Sequence, residues 1–145
     1  MQSKLLGADK DGRIFALVFG QGEDAVAGLQ QFAELEKLGG SHFTAIGAFQ
    51  RVTLGYFERD RKKYRRIPLD EQVEVVSLIG NVALAGDDRP RIHAHVVVGR
   101  SDGHACGGHL LEGIVWPTLE VVLSESPLHL RRRLDPETGL ALLEL

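Results

Sequence analysis

The hydrophobic period of this chain is helical in one stretch only, and that limits what it can fold into. Between about Glu23 and Leu38 the apolar residues Ala25, Leu29, Phe32, Leu35 and Leu38 recur at three- and four-residue steps, giving a helix one apolar face. Glu23 and Asp24 fall in its first turn, where carboxylates suit the helix dipole, and Gly39-Gly40 stops it. Before it, residues 13–20 (RIFALVFG) read as a strand after the turn signal Asp11-Gly12. From His42 onward the period is two. Residues 42–49, 51–58, 73–79, 82–85, 91–99 and 119–125 read as strands, the first two each broken by a glycine (Gly47, Gly55). Turns fall at Gly80-Asn81, Gly86-Asp87-Asp88, Asp102-Gly103 and Gly107-Gly108. One helix followed by a run of strands predicts an α+β fold with a largely antiparallel sheet. The tail from Pro127, with Arg131-Arg132-Arg133 and Leu140-Ala141-Leu142-Leu143, adds a short final element.

With 145 residues the chain is predicted to be a single domain over 1–145, long enough to bury a core without staples. A formal charge of -3 argues against nucleic-acid binding by charge alone, which draws its affinity from a basic excess. The single cysteine, Cys106, allows no intrachain disulfide and fits a reducing compartment. The first ten residues hold no apolar run of signal-peptide length, and residues 110–123 are interrupted by Glu112, Pro117 and Glu120. The expectation is a soluble, cytoplasmic protein with no membrane partner.

His93-Ala94-His95 lies inside an apolar strand signal. Residues two apart on a strand share a face, with Cα atoms about 6.5 Å apart. Two imidazoles so placed can converge on one ion with bonds of about 2 Å. His109 follows Gly107-Gly108, and a hairpin turning at Ser101-Asp102-Gly103 brings it back beside His95, the diglycine allowing close backbone approach. His93, His95 and His109 are therefore the candidate metal ligands, a three-histidine half-shell with a fourth position open. An isolated H-x-H is weak evidence, and a chance pair with His109 as an ordinary turn residue stays open beside this reading. His42, His104 and His129 read as structural or surface residues, and Cys106 is left out of the ligand set.

The run RIHAHVVVGRSDGHACGGHLLEGIVWPTLEVVL resembles the signature of the PPC (plants and prokaryotes conserved) domain family. The matching positions are His93 and His95, then the Gly107 to Leu110 segment, Gly113 with Val115, and Thr118 with Glu120. Softer matches follow the same order upstream: Gly22-Glu23, Ile46-Gly47-Ala48, Leu54-Gly55, Tyr64 and Gly80-Asn81. The resemblance implies a central, mainly antiparallel sheet flanked by helices, a homotrimer, and a metal, usually zinc, on the three histidines. Plant members carry separate AT-hooks for the DNA minor groove. This chain has no Arg-Gly-Arg-Pro core, which puts stand-alone DNA binding in doubt.

Gly20-Gln21-Gly22-Glu23-Asp24-Ala25 fits a dinucleotide fingerprint, but acids at the helix start would repel a pyrophosphate, so an ordinary turn explains it better. Cupin and metallo-hydrolase histidine patterns fail where Val97, Val98, Gly99 and Arg100 stand. Glu120 is the candidate catalytic residue: beside the histidine strand it would orient an imidazole or act on a bound water, its other reading being a surface acid. Residues 59–66 (RDRKKYRR) put six basic side chains around Tyr64, a solvated hairpin tip or a contact for phosphates. Two functions follow. The first is a metal-binding homotrimeric module with a regulatory role, in contact with DNA or a transcription factor. The second is a zinc-dependent enzyme that hydrolyses a small substrate.

Overall fold

The computed structural model describes residues 1–145, and the alternating apolar pattern has formed strands almost everywhere it occurs. In chain order the elements are β1 (Gln2–Asp9), β2 (Gly12–Phe19), α1 (Ala25–Leu35), β3 (Gly40–Glu58), β4 (Lys63–Leu69), β5 (Val73–Leu84), β6 (Pro90–Gly99), β7 (Ala105–Glu125), β8 (Arg131–Leu134) and β9 (Ala141–Glu144). A single 3₁₀ turn, Arg59–Arg61, joins β3 to β4. The strands form one nine-stranded sheet, with β2, β7, β3 and β5 side by side, β1 and the β8–β9 hairpin at its ends, and β4 on β3. Strand β6 pairs with both β5 and β7, so β3, β5, β6 and β7 form a hydrogen-bonded circuit.

The α+β expectation, with helices flanking a sheet, is overturned: the chain is mostly β, with nine strands, one eleven-residue helix and a mixed sheet. Only one stretch of the sequence carries a helical period. The short final element expected of the tail is the β8–β9 hairpin, and β8 meets β5 in parallel at Leu84 and Arg131. Several expected breaks are not breaks. Gly80-Asn81 lies inside β5, Gly107-Gly108 inside β7, and the two segments around Gly47 and Gly55 are one long strand, β3.

Asp24 caps α1, its carboxylate accepting from the backbone N–H groups of Val26 and Ala27 at 2.8 and 3.2 Å. The helix lays Ala25, Leu29, Phe32 and Ala33 on the sheet, each fully or nearly buried. Burying a side chain such as Leu29 or Phe32 contributes about 1.5–3 kcal/mol. Gly28 lets the helix sit on Phe19, whose ring would meet an added Cβ at 2.4 Å. Arg13 ties the helix end to the sheet, donating to Glu125 at 2.6 and 3.0 Å and to Glu36 at 2.7 Å. The core is one cluster built on Phe19, Phe43, Phe49, Leu17, Leu119 and their neighbours. The outer sheet face has no such cover. Val18, Ile46, Val76, Ile79 and Val122 stand exposed on it, beside a groove of about 470 Å³ that also touches Glu120.

Candidate metal centre

His93 and His95 leave β6 on one side because strand side chains alternate, and this side faces outward. The residues between and after them, Ala94, Val96 and Val98, point into the core. His109 comes from β7, directly opposite His95 in the ladder. Its approach depends on the two glycines before it: a Cβ on Gly107 would stand 2.7 Å from the Val96 carbonyl oxygen, and one on Gly108 would stand 2.8 Å from that of Gly55. The diglycine brings strands together as its residues suggest, but within a strand and not at a turn.

The three rings form a cluster. Nε2 of His93 and Nε2 of His95 are 3.1 Å apart, and one candidate nitrogen from each ring lies within 4.8 Å of the others. Ring centroids are separated by 5.0 Å (His93 and His95), 5.1 Å (His93 and His109) and 5.4 Å (His95 and His109). His93 and His109 are partly buried and His95 is exposed. Burial, then the charge of Arg132 and the proximity of His95, holds the His93 pKa below the usual imidazole range. Burial does the same to His109 more strongly, with help from His93 and His95, and pushes it down to about 4. These two rings are neutral at neutral pH, the form that ligates metals.

The cluster fits a divalent metal on its own chemistry. Nδ1 of His109 is buried and has no hydrogen-bond partner, an unmet polar atom of the sort that a native interior rarely tolerates. Two imidazole nitrogens sharing a tetrahedral ion stand about 3.3 Å apart, close to the His93–His95 separation. Three nitrogens and no carboxylate suit zinc and similar transition ions better than magnesium or calcium.

Tyr64, from β4, stacks on His109 with centroids 4.6 Å apart and planes at 27°. Burial raises its pKa, so the phenol keeps its proton. A cavity of about 220 Å³ opens beside His93 and His109, walled by Tyr64, Arg91, Arg132 and apolar residues of the C-terminal hairpin, and no carboxylate lines it. Glu120 is elsewhere. It sits exposed on the far half of β7, paired with Val18 on one side and Ile46 on the other. The basic segment is partly neutralised: Arg61 and Arg65 each lie 3.3 Å from Glu58, and Arg66 lies 3.9 Å from Glu112. The sequence marks Tyr64 as part of that segment and as one of the softer family matches, without placing it at the histidines, and gives Arg132 no role. Both meet the histidines through long-range pairing that no local spacing encodes.

Comparison with known proteins adds three kinds of relative. The profile of the Plants and Prokaryotes Conserved (PCC) domain matches residues 7–127. A plant- and prokaryote-conserved (PPC) protein of Pyrococcus horikoshii is 34% identical, with a TM-score of 0.86 over 99% of this chain and 95% of that one. A metal-containing protein of Archaeoglobus fulgidus is 35% identical, with a TM-score of 0.83 over 93% and 95%. A candidate DNA-binding protein of Bacteroides thetaiotaomicron is 26% identical, with a TM-score of 0.90 over 99% and 96%. The bifunctional protein GlmU of a Synechococcus strain is 29% identical over 130 residues, 88% of this chain, but the chain spans only 20% of its length. No helix here is long and apolar enough to cross a membrane.

Proposed function

The chain belongs to the Plants and Prokaryotes Conserved (PCC) domain family, and from that premise we propose that it is a one-domain, zinc-binding homotrimer with a regulatory role. The observation that carries the reading is the meeting of His93, His95 and His109, with candidate nitrogens within 4.8 Å and a cavity beside two of them. The Archaeoglobus relative, described as metal-containing, supports it. When bound, a divalent ion would supply Lewis acidity at a position the protein leaves open. The chain's own residues do the rest. His93 and His109 stay unprotonated because they are desolvated, Tyr64 covers one face of His109, and the diglycine fixes how near His109 comes to β6.

The trimer rests on the uncovered sheet face. Val18, Ile46, Val76 and Val122 are each 43–62% exposed there, an apolar surface that copies of the same chain would bury. The row Ala16, Val122, Thr44, Ile79, His95, His109 runs in register across the sheet, so this face continues into the histidine cluster. A reducing cytoplasm suits the single unpaired Cys106.

Binding is favoured over hydrolysis. The hydrolase reading needs a general base near the open position, but Glu120 pairs with Val18 and Ile46, and no carboxylate lines the cavity. Association with DNA or a transcription factor is proposed on the description of the Bacteroides relative. The negative net charge makes such contact dependent on several copies of the basic hairpin acting together.

Titration with cobalt(II) tests the metal reading. Intense visible absorption saturating at about one ion per chain is expected for a tetrahedral nitrogen site. Weak octahedral-type bands, or no saturation, would count against it. A gel-shift titration at rising salt tests the DNA part, and a flat response removes it.

A further inference from the structure

The cavity beside the histidines has one feature that metal binding does not explain, the arginine in its wall. Arg132 lies half-buried on β8, and burial alone pulls its pKa down, no acid raising it. Two of its five N–H donors are used: Nη2 donates to the Asn81 side-chain oxygen at 2.5 Å and Nη1 to the Ala141 carbonyl at 3.1 Å. Both acceptors are uncharged. Its neighbours differ. Arg131 pairs with Asp88 at 2.6 Å, Arg133 with Glu144 at 3.1 Å, and Arg91, which also lines the cavity, with Asp87 at 3.0 Å. Arg132 alone of these presents an uncompensated charge, and it does so to the cavity.

A partly desolvated guanidinium without a counter-charge is costly unless something negative visits it. The cavity, about 220 Å³, corresponds to about seven water volumes, smaller than the sites that take drug-sized ligands. Leu140 and Leu142 make part of the wall apolar. We propose that this cavity is the binding site of a small organic carboxylate, with Arg132 as its anion-binding residue, Leu140 and Leu142 against its short carbon chain, and Asn81 holding the guanidinium in place. The apolar wall favours an organic carboxylate over inorganic phosphate. This deepens the metal-module reading, since the same cavity touches His93 and His109.

The test is calorimetric titration of butyrate into the zinc-loaded protein, with inorganic phosphate and butylamine as comparisons and metal content measured on every sample. Arg132→Gln removes the charge. Asn81→Asp is nearly isosteric, keeps the contact that anchors β8, and supplies Arg132 with an internal carboxylate. Both variants should weaken butyrate about tenfold or more, the scale of a lost charged hydrogen bond, without changing metal content. Butylamine should not bind. Absent butyrate binding to metal-replete wild type, or affinity unchanged in both variants, overturns the carboxylate site and leaves the metal reading standing. Tighter binding of phosphate than of butyrate overturns the ligand class. If wild type holds no zinc, the metal reading fails, and the same titration on metal-free protein still decides: Arg132-dependent affinity supports the site and its absence overturns it. If Arg132→Gln does not fold, Asn81→Asp alone decides: weakened butyrate supports the site, and unchanged affinity overturns it.

Discussion

Gly108→Ala should damage the histidine cluster from outside it. The added Cβ would stand 2.8 Å from the Gly55 carbonyl oxygen and 3.5 Å from the Leu54 Cβ. A carbon and a carbonyl oxygen rest at about 3.3 Å or more, so β7 and β3 must separate there by about 0.5 Å. The atom met is backbone, the Gly55 carbonyl oxygen of β3, so no side chain can swing away to absorb the strain. Overpacking of this kind costs about 1–3 kcal/mol, which in a domain of this size lowers Tm by about 3–10 °C. His109 is the next residue and moves with β7. Metal sites tolerate displacements of about 0.2 Å, so zinc affinity should fall by about 10- to 100-fold. Thermal denaturation of the metal-free protein reads the first effect, and competition for zinc with a chromophoric chelator reads the second. Gly86→Ala is the control, since an added Cβ there meets nothing within 4 Å. If Gly108→Ala matches wild type in both assays, the diglycine does not set the position of His109.

Acid should destabilise the metal-free protein. The folded-state pKa of His109 lies near 4, below the unfolded value of about 6.5, so the unfolded chain binds the proton first. The contribution of the neutral ring is whole above about pH 6.5 and is lost as pH falls toward 4; urea midpoints that stay flat across that interval would contradict the assignment. Ile46→Glu, which puts a charge on a residue 62% exposed on the apolar sheet face, should leave the fold intact and reduce the mass in light scattering from that of the proposed trimer to that of a monomer. Arg13→Ala removes the link from Glu125 to Glu36 and should cost about 1–2 kcal/mol in chemical denaturation, with zinc affinity unchanged.

The histidine geometry is within reach of the sequence because it is local. His93 and His95 are fixed by the two-residue period, and His109 by a hairpin whose turn, Asp102-Gly103, is written in its residues. The rest is set at longer range. Glycines at 80, 107 and 108 look like turns in one dimension, but they lie within strands. Gly80 lets β5 fit against Phe43 and the His93 carbonyl, atoms that an added Cβ would meet at 2.3 and 2.6 Å. Strand β1 gives no signal in the sequence because its residues are exposed throughout and show no apolar alternation. Glu120 shares a strand with His109, but the length of β7 carries it to a different pair of neighbours. Arg132 cannot be singled out from three consecutive arginines by spacing. Only the fold reveals that Arg131 and Arg133 have acidic partners and it does not.

Elemental analysis of the protein purified without added metal, wild type beside His95→Ala, bears on the whole account. About one zinc per chain in wild type and almost none in the variant, both eluting as folded protein, is the outcome expected from three imidazoles around one ion. Wild type free of transition metal, or a variant that retains a full complement, would contradict it.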